Sequence, residues 1–233
     1  MPERNPQYFG RDLEAMSFAR NYHRWILAEF APYLGASVAE VGAGTGSFSA
    51  LLLDTPVARL IAYEPSANMF PALSAALARE PRAQAVNGFF GTGDFADLDA
   101  VVYVNVLEHV EDDKAELVHA FARLRRGGHL LLFVPALSWL YSDLDRRLGH
   151  FRRYTRDGLE DLVRGAGFAV VKSRYFDLAG ILPWYVNFVL LRNEMDARSV
   201  ALYDRVVVPV MRRIEKLVRP PIGKNVLLVA RKP

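Results

Sequence analysis

The chain has 233 residues, of which 52% are hydrophobic and 24% charged, and it contains no cysteine. That composition suits one substantial core and excludes a mainly disordered chain. The missing cysteines exclude disulfides, cysteine-ligated zinc or iron–sulfur sites and a catalytic thiol. The net charge of +3 conceals a polarity: residues 1–145 carry 11 Lys and Arg against 18 Asp and Glu (net −7), and residues 146–233 carry 18 against 8 (net +10).

Residues 1–11 are polar and lack the apolar core of a secretory signal. Helical spacing of Leu13, Met16, Phe18, Ala19, Tyr22, Ile26, Leu27 and Phe30 predicts a helix over 12–34, closed by Gly35. A short apolar run at 37–41 stops at Gly42-Ala-Gly-Thr-Gly46, and helical patterning resumes over 47–53. A second strand is predicted at 58–63, then Glu64-Pro65-Ser66 and a helix to about Arg79, which Pro81 closes. Further strands are predicted at 83–86, 100–104 and 129–134, with a charged amphipathic helix over 112–126 between the last two. A helix over 156–166 leads into a sixth strand starting at 168–172. Apolar helix-like segments fill 176–221, and 225–230 forms a last strand. The segment 178–191 carries Pro183 and Asn187 and is too short to span a bilayer, so a cytoplasmic location is the default expectation.

Strands alternating with helices predict an α/β fold, a doubly wound and mostly parallel seven-stranded sheet with a helical insertion. One domain is expected over 1–233: a helical cap (1–34), a ligand-binding core (35–175), a helical insertion or lid (176–222) and the last strand (223–233). The glycine turn falls at the carboxyl end of the first strand, where open α/β sheets bind ligands. Glu64 ends the second strand, 18 residues after Gly46, and an acid there can accept hydrogen bonds from both hydroxyls of a ribose. Two cofactor classes fit a ribose-binding acid. A nicotinamide dinucleotide asks for Gly-x-Gly-x-x-Gly, but Ser47 occupies the sixth position, and Glu40 places a carboxylate where pyrophosphate would lie. A sulfonium nucleoside with an ammonium group suits Glu40 better.

The residues resemble the class I S-adenosylmethionine-dependent methyltransferases. Glu40-Val-Gly-Ala-Gly-Thr-Gly46 is similar to that family's first motif, Glu64 to its ribose-binding acid, and Asp99-Ala-Val-Val-Tyr-Val-Asn105-Val-Leu-Glu-His109 to its fourth motif. Leu107-Glu-His-Val-Glu-Asp-Asp113 and Gly149-His-Phe-Arg-Arg-Tyr-Thr155 resemble the bacterial type 11/12 small-molecule methyltransferases. The resemblance covers about residues 20–175 and the last strand, which enters antiparallel in that family. It implies S-adenosyl-L-methionine as cofactor. Gly42, Ala43, Gly44 and Gly46 are expected along its methionine part, with Glu40 at the amino end and Glu64 on the ribose. Pro65 or Met69, with Gly88 and Phe89, are expected near the adenine, and Asn105 and Val106 near the transferable methyl.

The implied reaction is in-line transfer to an oxygen or nitrogen of a small aromatic, lipid-like or anionic acceptor, with alignment as the main catalytic effect. His109 and His150 are candidate general bases, against a reading in which both only anchor loops. Arg152 and Arg153 suit an anionic acceptor, or pair with Asp143 and Asp145. Tyr141, Tyr154 and Trp184 are candidate acceptor contacts or core. No metal is expected. The apolar 176–221 segment reads as an acceptor lid, a homodimer interface, or, with the basic residues from Arg198 to Arg219, a peripheral membrane contact. The competing functions are a nucleic-acid methyltransferase, which lacks its Pro-Pro-aromatic signature after Asn105, and a cofactor-binding protein without catalysis. No nucleic-acid partner is expected.

Overall fold

The computed structural model describes residues 19–93, 95–193 and 195–233, so residues 12–18 of the first predicted helix lie outside the described residues. In chain order the regular elements are α1 (Arg20–Phe30), β1 (Ser37–Val41), α2 (Ser47–Leu53), β2 (Arg59–Glu64), α3 (Phe70–Leu77), β3 (Ala83–Asn87), β4 (Leu98–Val104), α4 (Asp113–Arg123) and β5 (Leu124–Pro135). They continue as α5 (Asp143–Arg147), α6 (Arg156–Gly165), β6 (Ala169–Phe176), α7 (Ile181–Trp184), a π-helical turn (Tyr185–Leu190), α8 (Ala197–Leu217) and β7 (Asn225–Arg231).

The seven strands form one sheet in the order β3-β2-β1-β4-β5-β7-β6. β1 pairs in parallel with β2 and with β4, whereas β7 runs antiparallel between β5 and β6. Strand order therefore reverses at β1, and the crevice between the carboxyl ends of β1 and β4 is the topological switch point at which such sheets take ligands.

Successive strand residues point to opposite faces, so each strand feeds two cores. Ala39, Val41, Ile61, Tyr63, Val101, Tyr103, Leu130 and Leu132 pack with Leu117 of α4 and Leu159 and Val163 of α6. Val38, Leu60, Ala100, Val102, Leu131 and Phe133 pack with Trp25, Ile26 and Phe30 of α1, Leu52 of α2 and Val208 of α8.

Three differences from the sequence expectation have local causes. α4 stops at Arg123 instead of continuing to 126, because Leu124 already pairs with Leu98 as the first residue of an extended, bulged β5. A short helix, α5, stands where a loop was expected. Ser142 caps it, accepting from the Asp145 amide while the Asp145 carboxylate accepts from the Ser142 amide, the reciprocal arrangement that secures a helix start. Finally, the 176–222 insertion divides in two. Its long helix α8 lies on α1, where the buried Asp204 carboxylate accepts from the amides of Asn21 (3.0 Å) and Tyr22 (2.8 Å) and so caps a neighbouring helix. From the insertion, Trp184 of α7 and Met195 reach the cavity at the sheet crevice.

Candidate active site

A cavity of about 390 Å³ opens at the switch point. One side is built from the glycine turn. The Gly42 backbone is left-handed (φ 68°), and a Cβ there would meet Cγ2 of Val106 at 2.6 Å, so only glycine lets this turn close against the end of β4. Gly42, Ala43, Gly44 and Thr45 line the cavity. Gly46 does not. It is the left-handed N-cap of α2, and its open side faces Leu73 and Ala76 of α3.

Two carboxylates flank the turn. Glu40 is 4% exposed and accepts a short hydrogen bond from the Ser49 hydroxyl. Burial pushes its carboxyl up to about 8; the Ser49 bond opposes the rise and the Glu64 charge adds to it. Among the described residues no salt bridge reaches it. Glu64 accepts from the Gly44 amide through Oε2 and from the Ser66 amide through Oε1, both at 2.8 Å. Each oxygen keeps a second lone pair toward the cavity. Pro65, Ser66, Met69 and Phe89 continue the wall, and Phe89 stands 64% exposed at its rim. Gly88 is not on the wall. Its amide donates to the Glu64 carbonyl at 3.2 Å, which ties the β3 end to the β2 end.

Asn105 and Val106 form the floor beyond β4. Asn105 adopts φ 53°, a left-handed conformation that asparagine tolerates better than most residues, and its amide donates to the Phe133 carbonyl at 2.8 Å. The next residues turn upward and bring Glu108 and His109 to the far end of the cavity, where His150 meets them. The two imidazoles touch edge to face, with centroids 4.6 Å apart. His109 is held by the backbone of Gly149 and Leu148, and burial, reinforced by His150, presses its pKa down to about 4, so the ring is neutral at ordinary pH. Burial pushes Glu108 up to about 7, opposed mainly by His150.

His150 is placed by a buried network. Its Nδ1 pairs with Asp145 Oδ1 at 2.9 Å, and Arg153 grips the same carboxylate through Nε at 2.9 Å and through Nη2, while its Nη1 donates to the Ala136 carbonyl. The same network places the candidate acceptor residues, and Arg153 takes the Asp145 pairing. The Arg153 side chain is 1% exposed and spent on Asp145, with Trp184 stacked at 4.7 Å, so it lines the cavity without a free fork for an anion. Arg152 is not on the wall. It bonds Asp113 and the Glu111 carbonyl, both at 2.7 Å, instead of Asp143 or Asp145. Tyr154 is buried off the wall, its hydroxyl 3.0 Å from Asp113 Oδ2. The Tyr141 hydroxyl donates to the His150 carbonyl at 2.7 Å, and its ring lies outside the cavity. Arg152, Tyr154 and Tyr141 thus fasten the loop that carries His150.

Trp184 does face the cavity, and sequence reasoning missed several of its neighbours. Tyr22 and His23 enter from α1, Lys224 and Asn225 from the start of β7, and Glu108 from the turn after β4. Only Glu108, beside His109 at a strand end, carried a local signal. A second cavity of about 480 Å³ adjoins the first, sharing Tyr22, Trp184, Met195 and Lys224 with it. Pro183, Phe188, Val200, Tyr203 and Val208 make it largely apolar.

A seven-stranded doubly wound sheet with an antiparallel β7, a glycine turn after β1 and an acid closing β2 defines the class I S-adenosylmethionine-dependent methyltransferase architecture. The donor set fits that cofactor. A buried carboxylate with no salt bridge among the described residues, and a second one on the same cavity wall at the end of β2, suit a cationic nucleoside and repel a pyrophosphate. A family model described as a methyltransferase domain matches residues 13–173, and the chain belongs to that family. It is an S-adenosylmethionine-dependent methyltransferase.

Similar solved structures include the Haloferax volcanii complex of the Trm112 methyltransferase activator with a methyltransferase (15% identity, 96% of each chain covered, TM-score 0.65). A SAM-dependent methyltransferase from Archaeoglobus fulgidus shares 17% identity over 95% of this chain and 99% of that one, with a TM-score of 0.63. The Burkholderia thailandensis 1,6-didemethyltoxoflavin-N1-methyltransferase shares 20% identity over 95% and 81%, also with a TM-score of 0.63. No curated protein matches the chain.

Proposed function

We propose that the protein methylates an oxygen or nitrogen of a small, largely apolar acceptor seated between the glycine turn and residues 181–195. The observation that carries this reading is the direct junction of the carboxylate-flanked cavity with the apolar one under α7. When bound, the cofactor supplies a methyl group already activated on a sulfonium. Glu40 holds its amino end, Glu64 its ribose, and the backbone of Gly42, Ala43 and Gly44 the methionine part. Pro65, Met69 and Phe89 cover the base. Asn105 and Val106 set the depth of the sulfur, and Trp184 positions the acceptor.

Alignment of this kind supplies about 7–11 kcal/mol of the barrier reduction. A hydroxyl acceptor also loses a proton, and His150, its Nδ1 fixed by Asp145, is the imidazole placed to take it at Nε2. His109, packed edge-on against it, keeps that ring in place. The test is calorimetry with S-adenosylhomocysteine and with NADH, followed by mass-spectrometric screening of phenolic, aliphatic-hydroxyl and amine acceptors with S-adenosylmethionine. Binding of NADH instead of the sulfur nucleoside, or no methylated product from any acceptor class, overturns the reading.

A second reading concerns where the protein works. Along the outer face of α8, Leu202, Val206, Val210, Ile214 and Leu217 stand 48–86% exposed in one arc, with Arg205, Arg212 and Lys216 in the adjoining arc. Among the described residues none of these three cations makes a salt bridge. No helix among the described residues is long and apolar enough to cross a membrane. An apolar stripe beside a basic one is the pattern of a helix lying in an anionic bilayer surface. Pairing with a second copy of the same face would set like charges together. Sedimentation with vesicles of mixed phosphatidylcholine and phosphatidylserine checks this. Equal recovery in the supernatant with and without vesicles, or loss of binding that coincides with dimerisation, refutes it.

A further inference from the structure

Glu108, His109 and His150 are the group among the described residues whose carboxylate and imidazole atoms all lie within 4.8 Å of one another. Each is prepared on its far side. His150 has its Nδ1 engaged by Asp145, and Asp145 is fixed in turn by Arg153 and by the Ser142 hydroxyl at 2.7 Å. This is the carboxylate–imidazole relay that orients a metal-bound histidine and leaves Nε2 as the lone-pair donor. His109 is anchored through the Gly149 and Leu148 backbone. Glu108 is 1% exposed, and its Oε2 has no hydrogen-bond partner, although a buried carboxylate oxygen without one is costly. Glu108 Oε2 is thus an unpartnered buried acceptor beside two oriented imidazoles.

We propose that Glu108, His109 and His150 bind a divalent cation at the acceptor end of the cavity, and that the acceptor reaches it through an oxygen atom. The proposal rests on the reading of this cavity as the acceptor's. Ligands at about 2.0–2.2 Å from a metal stand roughly 3–3.5 Å apart, so the three groups need close by little more than an ångström. Two nitrogens and one oxygen favour a borderline ion such as Mn²⁺, Fe²⁺, Co²⁺ or Zn²⁺ over Mg²⁺ or Ca²⁺. Three protein ligands leave positions open toward the cavity, as in catalytic and not structural sites. In the metal-loaded enzyme the His150 Nε2 lone pair would be on the ion, and a hydroxyl made more acidic by the ion's own charge would give its proton to solvent water, whereas in metal-free protein His150 takes it. In the sequence Glu108-His109 and His150 stand 41 residues apart, and they meet only through the folded α5 loop.

The test titrates tag-free, chelator-stripped protein with Co²⁺, read by its visible absorption, and with Mn²⁺, read by electron paramagnetic resonance. S-Adenosylhomocysteine affinity is measured on the same samples. One equivalent of each ion is expected to bind in the micromolar range, with at least a tenfold loss in Glu108→Gln and in His150→Gln, both still folded by circular dichroism. No binding at millimolar ion to protein that binds S-adenosylhomocysteine overturns the proposal, as does unchanged binding in both variants. Ion binding that the variants lose, in protein that ignores S-adenosylhomocysteine, upholds the metal site and sinks the cofactor reading.

Discussion

Glu40 makes cofactor affinity a function of pH. In the free protein burial pushes its carboxyl up to about 8, some way above an ordinary glutamate, and no salt bridge reaches it among the described residues. The cationic amino end of the cofactor needs the ionised form. Binding below pH 8 must therefore expel a proton, and affinity should rise with pH. With a free-state value of about 8, roughly 1% of Glu40 is ionised at pH 6 and roughly 24% at pH 7.5, so affinity gains roughly 25-fold across that window. Above it the ligand's own amino group, an ordinary α-amine near pH 8, starts to lose charge, so the informative range ends there. Calorimetry in two buffers of different ionisation heat gives both affinity and protons released, close to one per ligand at pH 6. Glu40→Gln should bind more weakly and without this slope. A wild-type affinity that changes less than threefold from pH 6 to 7.5, with no proton release, refutes the assignment. The free protein supplies a second check. A carboxyl whose folded value is raised stabilises below the unfolded value and loses that contribution as pH climbs to about 8. Glu40→Gln should therefore gain thermal stability relative to wild type between pH 5 and 8.5.

Glu64→Gln retains one acceptor oxygen but surrenders the charge that receives the Gly44 and Ser66 amides and the ribose. A charge-assisted bond is worth about 1.5–3 kcal/mol, so S-adenosylhomocysteine affinity should fall roughly 10- to 150-fold by calorimetry. Gly42→Ala places a methyl 2.6 Å from Val106 in a left-handed backbone, which should abolish cofactor binding and lower the melting temperature. The double change with Val106→Ala should recover part of the stability. Asp204→Ala strips the acceptor from two α1 amides and should cost about 1–2 kcal/mol in urea unfolding, with cofactor affinity reduced because Tyr22 and His23 hang from the same turn.

Legibility followed sequence separation. The β1–turn–α2 unit and Glu64 could be read because their chemistry sits in 25 consecutive residues whose glycines, acids and apolar runs all agree. The strands buried on both sides were visible as apolar runs, and their ends shifted only where pairing extended them, as β5 does back to Leu124. The acceptor side resisted for the opposite reason. Nothing local says that Asp204 caps α1 across 182 positions, that Arg152 selects Asp113 over the nearer Asp143, or that His150 reaches His109. Arg152 and Arg153 look alike in sequence, yet one braces a loop from outside and the other lies buried against Asp145. Those choices are made by packing, after the local elements exist.

The charge polarity of the chain resolves into pairs. Much of the basic surplus after residue 146 turns inward: Arg152 meets Asp113, Arg153 meets Asp145, Lys172 meets Glu29, and Arg174 meets Glu29 and Glu215. Acids of the first half thereby fasten the second half onto the sheet. Two remainders survive this pairing. One is Glu40 and Glu108, buried carboxyl groups on the cavity wall with no salt bridge among the described residues. Burial raises both pKa values, a cost that a cation bound beside either carboxylate would relieve. The other remainder is the row of arginines and lysine on α8, exposed beside an apolar stripe and facing away from the cavity. Unpaired buried carboxyls inside and unpaired cations outside follow from the same fold. On the proposed reading, the first would favour a cationic ligand in the site, and the second an anionic surface against α8.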